Sequence, residues 1–276
     1  MSDPGWVPPG IDPTKPNIAR VYDFQLGGKD NYAIDREVGR QILELAPDAP
    51  ATAWSNRAFL RRAVRYMIAD AGIRQFVDIG SGLPTQGNVH EVAQDAHPGT
   101  RVVYVDNDPV VLVHARALLD TSEATKVIKA DLRRPAEILS DPALSEFIDF
   151  DEPIGLLLIA ILHHVNDDEG PADITAQLRA ALAPGSHLAI SHFHNPGSAL
   201  PEEAALAEAS EKLMIEKFGT GRFRTGSEIR RFFGDFELLD PGVVPLPLWR
   251  PDAGEPKLVS ADHRLVGGVA RQTAGG

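Results

Sequence analysis

Hydrophobic positions along the chain change their spacing near residue 73. Before that point they recur every three or four residues, a spacing that is typical of helices with one apolar face. The spacing predicts three helices, which cover residues 18–26, 32–46 and 54–72. Asn17 is a favourable N-cap for the first helix, and Gly27-Gly28 would end it.

The chain after residue 73 has a different pattern. Short runs rich in Val, Ile and Leu occupy residues 75–80, 101–106, 125–131, 153–162 and 186–193. The segments between these runs can hold helices, and strands that alternate with helices form a parallel sheet buried on both faces. Two more strands are expected at 236–240 and 263–272, after a helix over 200–219. We therefore predict an α/β fold of the Rossmann-like type.

The two patterns also predict the domain organisation. Residues 1–16 contain five prolines and are expected to form an irregular arm. Residues 17–72 would form a helical extension that covers the ligand site as a lid. Residues 73–276 would form the α/β domain itself.

Composition and charge narrow the class of protein. A chain of 276 residues with 43% hydrophobic residues can build a proper core. It has no run of 18 apolar residues and no signal-like start, so we expect neither a membrane span nor export. The absence of cysteine excludes thiolate chemistry and agrees with a cytoplasmic location. The net charge of −12 argues against a nucleic-acid partner.

One basic cluster interrupts this acidic composition. Its members, Arg57, Arg61, Arg62 and Arg65, follow one another at helical spacing. We expect a solvated helix face that pairs with acidic side chains. An anion-binding patch is the alternative.

Three carboxylates are expected at the ends of three successive strands. The first strand carries Asp78 and runs into Gly80, Ser81 and Gly82. The second ends in Asp106, 24 residues after Gly82, an interval that suits a carboxylate bound to ribose hydroxyls. The third is followed by Asp131 and Leu132, which would frame an adenine ring. These side chains would meet at the carboxyl edge of the sheet, where α/β proteins bind nucleosides.

Charge discriminates between the possible nucleoside cofactors. A dinucleotide would bring its pyrophosphate to the glycine turn, where Asp78 would repel it, and Thr85 stands where the third fingerprint glycine is usual. S-adenosylmethionine carries no phosphate, and its ammonium and sulfonium groups are cationic. The acidic rim therefore favours S-adenosylmethionine.

Several motifs along the chain resemble those of a known class of enzymes. "FVDIGSG", "VVYVDND" and "KADLRRP" are similar to successive motifs of class I S-adenosylmethionine-dependent methyltransferases. Together with "ARVYDFQLGGKDNYAIDREV" and "RTGSEIRRFFGDFELLDPGVV", they resemble one bacterial family of S-adenosyl methyltransferases over residues 17–272. The resemblance implies a seven-stranded sheet that ends in an antiparallel hairpin. It also implies that Gly80 and Gly82 pass the methionyl end, Asp106 the ribose, and Asp131 with Leu132 the adenine.

Further residues complete the expected cofactor site. Asn107 follows the ribose carboxylate, and Ala160 lies in the run of the fourth strand. In the segment "YDFQLGGKDNY", we expect the Gly-Gly bend to fold over the cleft. Tyr22, Lys29, Asn31 or Tyr32 would then reach the cofactor or the substrate, with Tyr22 and Asn31 as the candidates for the cofactor. An ordinary helix stop packed on the sheet edge is the alternative.

Methyl transfer from a sulfonium requires alignment and a dry pocket more than acid–base chemistry. If the acceptor needs a base, His164 is the first candidate and His163 the second, with Asp167 or Asp168 to orient the ring. His192 and His194 lie at i, i+2 and could ligate a metal. We favour pocket-lining histidines and expect no metal.

Three functions remain open from the sequence. The first is a methyltransferase that acts on a small molecule. The second is a protein that binds S-adenosylmethionine or S-adenosylhomocysteine as a sensor without turnover. The third, a nicotinamide-dependent oxidoreductase, is disfavoured by Asp78.

Overall fold

A computed structural model describes residues 11–84, 87–119, 123–254 and 258–273 of the protein. Most of the predicted arm, residues 1–10, lies outside the described residues, as does Thr85. Residues 11–16 have no regular secondary structure. In the described ranges, no helix is long and apolar enough to cross a membrane.

The described residues form one sheet of eight strands. These are β1 (Gln75–Ile79), β2 (Arg101–Asp106), β3 (Thr125–Lys129), β4 (Gly155–Ile159), β5 (His187–Phe193), β6 (Glu237–Leu238), β7 (Val244–Pro245) and β8 (Leu265–Arg271). The strand order is β3-β2-β1-β4-β5-β8-β6, and β7 also pairs with β8. Strands β1 to β5 are parallel, whereas β8 runs antiparallel to β5. The predicted α/β class is confirmed, and the strand order reverses between β1 and β4.

The number of strands differs from the expected seven. The predicted sixth strand over 236–240 is only two residues long in the sheet, and the chain returns to β8 as the separate strand β7. Pro241 and Gly242 lie between the two pieces. Proline has no N–H for a strand ladder, and the N–H of Gly242 closes a turn on the carbonyl of Leu239 at 2.7 Å. The chain therefore leaves the sheet and pairs again.

Helices connect the strands and cover the sheet. They are α1 (Ile18–Gln25), α2 (Ala33–Leu45), α3 (Ala49–Ala69), α4 (Val89–Ala96), α5 (Pro109–Leu119), α6 (Pro135–Leu139), α7 (Pro142–Ser145), α8 (Pro171–Ala180), α9 (Pro201–Phe218) and α10 (Gly226–Arg231). Asn17 caps α1 as predicted, since its side-chain oxygen accepts the N–H of Arg20 at 3.1 Å. Helix α3 begins earlier than predicted because Pro50 lies in its first turn, where proline is tolerated.

The core consists of one apolar layer on each face of the sheet. On one face, α3, α4 and α5 cover the side chains of Phe76, Val102 and Leu157. On the other face, α6, α7 and α8 cover Val77 and Val103, together with Phe232 and Phe233, which follow α10. Helix α3 is thus part of the main core, with Phe59 fully buried. The division at residue 72 stays a prediction.

Candidate functional site

A cavity of about 610 Å³ lies at the carboxyl ends of the parallel strands, within the roughly 300–1,000 Å³ typical of small-molecule pockets. Two parts of its wall differ in chemistry. The first, which we call the acidic half, lies at the ends of β1, β2 and β3 and comprises Asp78, Gly80, Ser81, Gly82, Asp106, Asn107, Asp108, Asp131 and Leu132. The second, which we call the apolar half, comprises Ile42, Leu45, Phe193, Leu213, Met214, Phe218 and Phe223.

Asp78 is the most buried carboxylate of the acidic half. It pairs in register with Tyr104 of β2 and lies on the same face of β1 as Phe76, because side chains alternate along a strand. Burial raises the pKa of Asp78 to about 7, an effect that Arg57 opposes and Asp106 strengthens. This carboxyl group therefore titrates near neutral pH, and a bound cation would ionise it.

The glycine turn after β1 brings backbone into the cavity. Gly80 and Gly82 have φ angles of +74° and +66°, a region that favours glycine. A Cβ atom on Gly80 would overlap the side chain of Ile161. Ser81 lies between the two glycines on the cavity wall. Any side chain at position 80 would therefore displace the chain that follows β4.

Asp106 is held by backbone N–H groups. Gly82 donates to its Oδ2 at 3.0 Å, and Asp108 donates to its Oδ1 at 2.9 Å. Burial raises the pKa of Asp106, and these two N–H groups oppose the rise. Asp108 also accepts a hydrogen bond from Asn17, the cap of α1. The carboxylate is thus oriented before any ligand arrives, and the N-terminal extension is attached to the same loop.

Asp131 forms a third acidic point after β3. Its carboxylate accepts hydrogen bonds at 3.0 Å from Asn107 Nδ2, from the Arg133 backbone N–H and from Arg133 Nη1. Partial burial raises the pKa of Asp131, but these bonds and the Arg133 charge outweigh it, so the pKa lies below its usual value. Leu132 beside it is buried. Together they form a wall with an apolar side chain next to an ionised one.

Ala160 lines the cavity directly after β4, which lies between β1 and β5 in the sheet. It has a φ of +54°, which is uncommon for a residue with a side chain. Its N–H donates to Ser191 Oγ at 2.9 Å, and Ser191 in turn donates to Asn56 Oδ1 at 2.6 Å. Asn56 Nδ2 donates to the hydroxyl of Tyr22 at 3.0 Å. This chain of bonds links the strained residue to α3 and α1.

The N-terminal segment contributes unequally to the cavity. Tyr22 lines it, and the Tyr22 hydroxyl donates to the carbonyl of Ala53 at 3.2 Å. Asn31 is not among the described lining residues. Its amide donates to Asp23 at 2.8 Å and to the carbonyl of Gly28 at 3.1 Å. The structure thus brings Tyr22 to the other predicted site residues but places Asn31 outside them.

The position of the Asp23 side chain explains why glycine occupies position 28 in the Gly-Gly bend. The Asp23 carboxylate accepts the N–H of Asp30 at 2.9 Å and lies so close to Gly28 that a Cβ there would overlap it. Gly27 has a φ of +80° and open space around it. The two glycines therefore allow a turn that wraps around a buried carboxylate.

His163 and His164 are both buried on the cavity wall. His163 stacks on Phe193 with ring centroids 3.7 Å apart, and its Nδ1 accepts the Phe193 N–H at 3.3 Å. Burial lowers the pKa of His163, and the neighbouring histidines and Arg224 add to the effect. Burial and the charge of Arg133 lower the pKa of His164 to about 3. Both rings are neutral at physiological pH.

Asp167 does not orient His164 as predicted. Its carboxylate binds Arg224, with Nη2 at 2.7 Å, and Arg222, with Nη2 at 3.2 Å. Nη1 of Arg224 donates at 2.9 Å to Nε2 of His192, whose Nδ1 binds the carbonyl of Phe193. This guanidinium occupies the lone pair that a metal at His192 would need.

Arg57 is a cavity-lining residue that the prediction of a solvated helix face missed. The predicted solvated face is wrong for two of its four arginines. Arg57 is buried on the cavity wall, close enough to Asp78 for its charge to lower the pKa of that carboxyl group. Buried Arg62 donates to the carbonyls of Leu246 and Trp249. A signal was available, because Arg57 lies at helical spacing with Ala53 and Leu60 on the apolar face of α3.

The chain is similar to known S-adenosyl methyltransferases in sequence and in structure. A family model described as S-adenosyl methyltransferase matches residues 4–273. A candidate methyltransferase from Thermobifida fusca YX shares 43% identity at a TM-score of 0.91, over 98% of this chain and 100% of that chain. A DUF574 family protein from Streptomyces avermitilis MA-4680 shares 37% identity at a TM-score of 0.87, over 94% and 98%. No curated protein matches the chain.

A more distant structure shares the fold alone. An O-methyltransferase family protein from Burkholderia thailandensis is 13% identical at a TM-score of 0.53. The match covers 92% of this chain and 64% of that chain. The two proteins therefore share the fold although few of their residues are identical.

Proposed function

Because the chain belongs to the S-adenosyl methyltransferase family, we propose that it transfers a methyl group to a small-molecule acceptor bound in the cavity. The observation that carries the proposal is that one cavity has an acidic half and an apolar half, and that Ala160, which follows the intervening strand β4, also lines it. The family cofactor is S-adenosylmethionine. The acidic half suits its cationic groups, and the apolar half leaves room for an acceptor on the same side of the sheet.

The residues of the acidic half suit each part of the cofactor. Asp78 would bind the ammonium group and Arg57 the carboxylate, since these opposite charges lie together on the buried wall. Asp106 would accept the ribose hydroxyls with its pre-oriented carboxylate. Asp131 and Leu132 would flank the adenine, with Asn107 beside them.

S-adenosylmethionine supplies a methyl group already activated by a sulfonium, so the protein needs to align the reactants and exclude water. Tyr22, Asn56 and Ser191 would hold the Ala160 wall in place through their chain of hydrogen bonds. The apolar half would exclude water from the acceptor. His164 can accept a hydrogen bond from an acceptor hydroxyl while it stays neutral. His163, stacked and bonded to backbone, would position that ring rather than move protons.

Binding and turnover experiments separate the candidate functions. Calorimetry and thermal shift should show binding of S-adenosylmethionine and S-adenosylhomocysteine but not of NAD. Release of S-adenosylhomocysteine against a metabolite panel would then support the enzyme. Binding without turnover on any acceptor would favour the sensor. His164→Ala with unchanged turnover would remove His164 from the mechanism.

A further inference from the structure

We propose that the apolar half accepts a flat aromatic molecule without a positive charge. This inference rests on the proposed function, and it names the chemical class of the methyl acceptor. It is based on a stack of aromatic rings, on large hydrophobic side chains that are only partly buried, and on the distribution of charge around the cavity.

The hydrophobic side chains of the apolar half are not fully buried against other parts of the protein. All seven of its side chains are only partly buried, although they are large and hydrophobic. They come from α2 and α9, which pack against each other, and from the chain near β5. Gly221 permits this arrangement, because a Cβ there would meet the Met214 side chain at 2.5 Å. Burying such a surface against a ligand is favourable because it removes apolar area from water.

A stack of three aromatic rings forms one side of the apolar half. Phe193 lies between His163, at 3.7 Å and 15°, and Phe223, at 4.6 Å and 13°. All three rings line the cavity. Nearly parallel rings at these distances form an ordered aromatic surface, on which another flat ring stacks better than a saturated one.

Charge selects against a cationic acceptor. Among the described lining residues, the carboxylates are Asp78, Asp106, Asp108 and Asp131, all in the acidic half. The ionised side chains near the apolar half are instead the cations Lys217 and Arg264. Arg264 is bound to the carboxylates of Glu203 and Asp48, while Lys217 binds the exposed Glu216. A cation in this compartment would lose its hydration without a carboxylate partner.

Two neutral polar side chains on the cavity wall have an atom without a hydrogen-bond partner among the described residues. Thr220 and His164 line the cavity, and Oγ1 of Thr220 and Nδ1 of His164 have no hydrogen-bond partner among the described residues. Both side chains are more than nine-tenths buried. They suit one hydroxyl or carbonyl group on an otherwise apolar ring system.

Three probes of matched size test the proposal on the full chain saturated with S-adenosylhomocysteine. They are 2-naphthalenemethanol, which is flat and neutral, 2-naphthylmethylammonium, which is flat and cationic, and decahydronaphthalene-2-methanol, which is saturated. Calorimetry should show the first binding about tenfold or more tightly than the cation and severalfold more tightly than the saturated alcohol. Equal affinity for the cation or for the saturated alcohol would overturn the proposal.

Two variants locate the binding. Leu213→Trp fills the compartment and should lower affinity for 2-naphthalenemethanol at least severalfold, whereas Ile215→Trp, at an exposed position of the same helix, should not. Phe223→Leu should reduce the preference for the aromatic alcohol over the saturated one. Unchanged probe binding in Leu213→Trp or an unchanged preference in Phe223→Leu would contradict the inference. Failure of the wild-type chain to bind S-adenosylhomocysteine would overturn the proposed function first, and this inference with it.

Discussion

The backbone N–H of Gly82 lies 3.0 Å from Oδ2 of Asp106 and donates a hydrogen bond to it. The bond joins the end of β1 to the end of β2 and sets the direction of the carboxylate. The second oxygen accepts the N–H of Asp108 at 2.9 Å. A ligand that needs a carboxylate here finds it already oriented, so little entropy is lost on binding.

We expect Asp106→Ala to weaken binding of S-adenosylhomocysteine and 5′-methylthioadenosine equally, because the ribose is common to both. Hydrogen bonds to a charged group contribute about 1.5–3 kcal/mol, so the loss should be roughly tenfold or more in calorimetry. Asp95→Ala, at an exposed position of α4, is the control. Unchanged affinity for both ligands in Asp106→Ala would exclude the ribose contact.

Arg57→Gln should change the affinity for S-adenosylhomocysteine but not the affinity for 5′-methylthioadenosine. 5′-Methylthioadenosine lacks the amino-acid carboxylate, so its affinity should stay constant while S-adenosylhomocysteine binds roughly tenfold or more weakly. Arg61→Gln lies one turn further along α3 and is not among the described lining residues of this cavity. A parallel loss of both ligands in Arg57→Gln would point to a structural role instead.

Affinity for S-adenosylhomocysteine should depend on pH through Asp78. The pKa of Asp78 is about 7 in the free protein, and only the ionised form attracts the ligand's ammonium group. Affinity should therefore fall as pH drops from 7.5 to 5.5, by up to about tenfold per unit below the pKa. Calorimetry should show a flat profile for 5′-methylthioadenosine and for Asp78→Asn. An equally steep profile in Asp78→Asn would assign the titration to another group.

The protein should lose stability on mild acidification through His192. Burial is the main cause that lowers the pKa of His192 to about 3, whereas the unfolded chain has a histidine pKa near 6.5. The unfolded state therefore binds a proton that the folded state rejects. This contribution is present above pH 6.5 and is lost as pH falls, by about 2 kcal/mol at pH 5.

His192→Gln removes this titration. The free energy of unfolding of both proteins is measured with urea at pH 7.5 and at pH 5. Between these pH values, wild type should lose more stability than His192→Gln. The same substitution at exposed His97 is the control. A difference that stays constant between the two pH values would show that His192 is not buried in a neutral form.

Gly28→Ala should destabilise the N-terminal helices. The added Cβ would overlap the Asp23 carboxylate, and relieving such overpacking typically costs about 1–3 kcal/mol. Gly27→Asn should change stability little, because position 27 has open space and asparagine tolerates positive φ. Urea unfolding would measure both variants. Equal stability of Gly28→Ala and wild type would show that Asp23 can move away.

Several features followed from the sequence alone. Runs of Val, Ile and Leu predicted five parallel strands because strands buried on both faces need apolar residues throughout. Parallel strands align their carboxyl ends, so Asp78, Asp106 and Asp131 were expected at one edge, and the structure places all three on one cavity. The motifs also indicated the family, which the family model confirms. All of these rest on local spacing and on general rules of sheet geometry.

Only the tertiary structure decided the rest. Arg57 looked like part of a solvated face, yet α3 carries it into the cavity because the neighbouring positions on that face are buried in the core. The apolar half joins residues of α2 and α9 that are far apart in the chain, and no local pattern predicts which partly exposed side chains will face one another. Asn31 illustrates the same limit, since its amide binds Asp23 within its own turn. Spacing along a chain determines which face a residue occupies, whereas the partner opposite that face depends on how distant segments pack together.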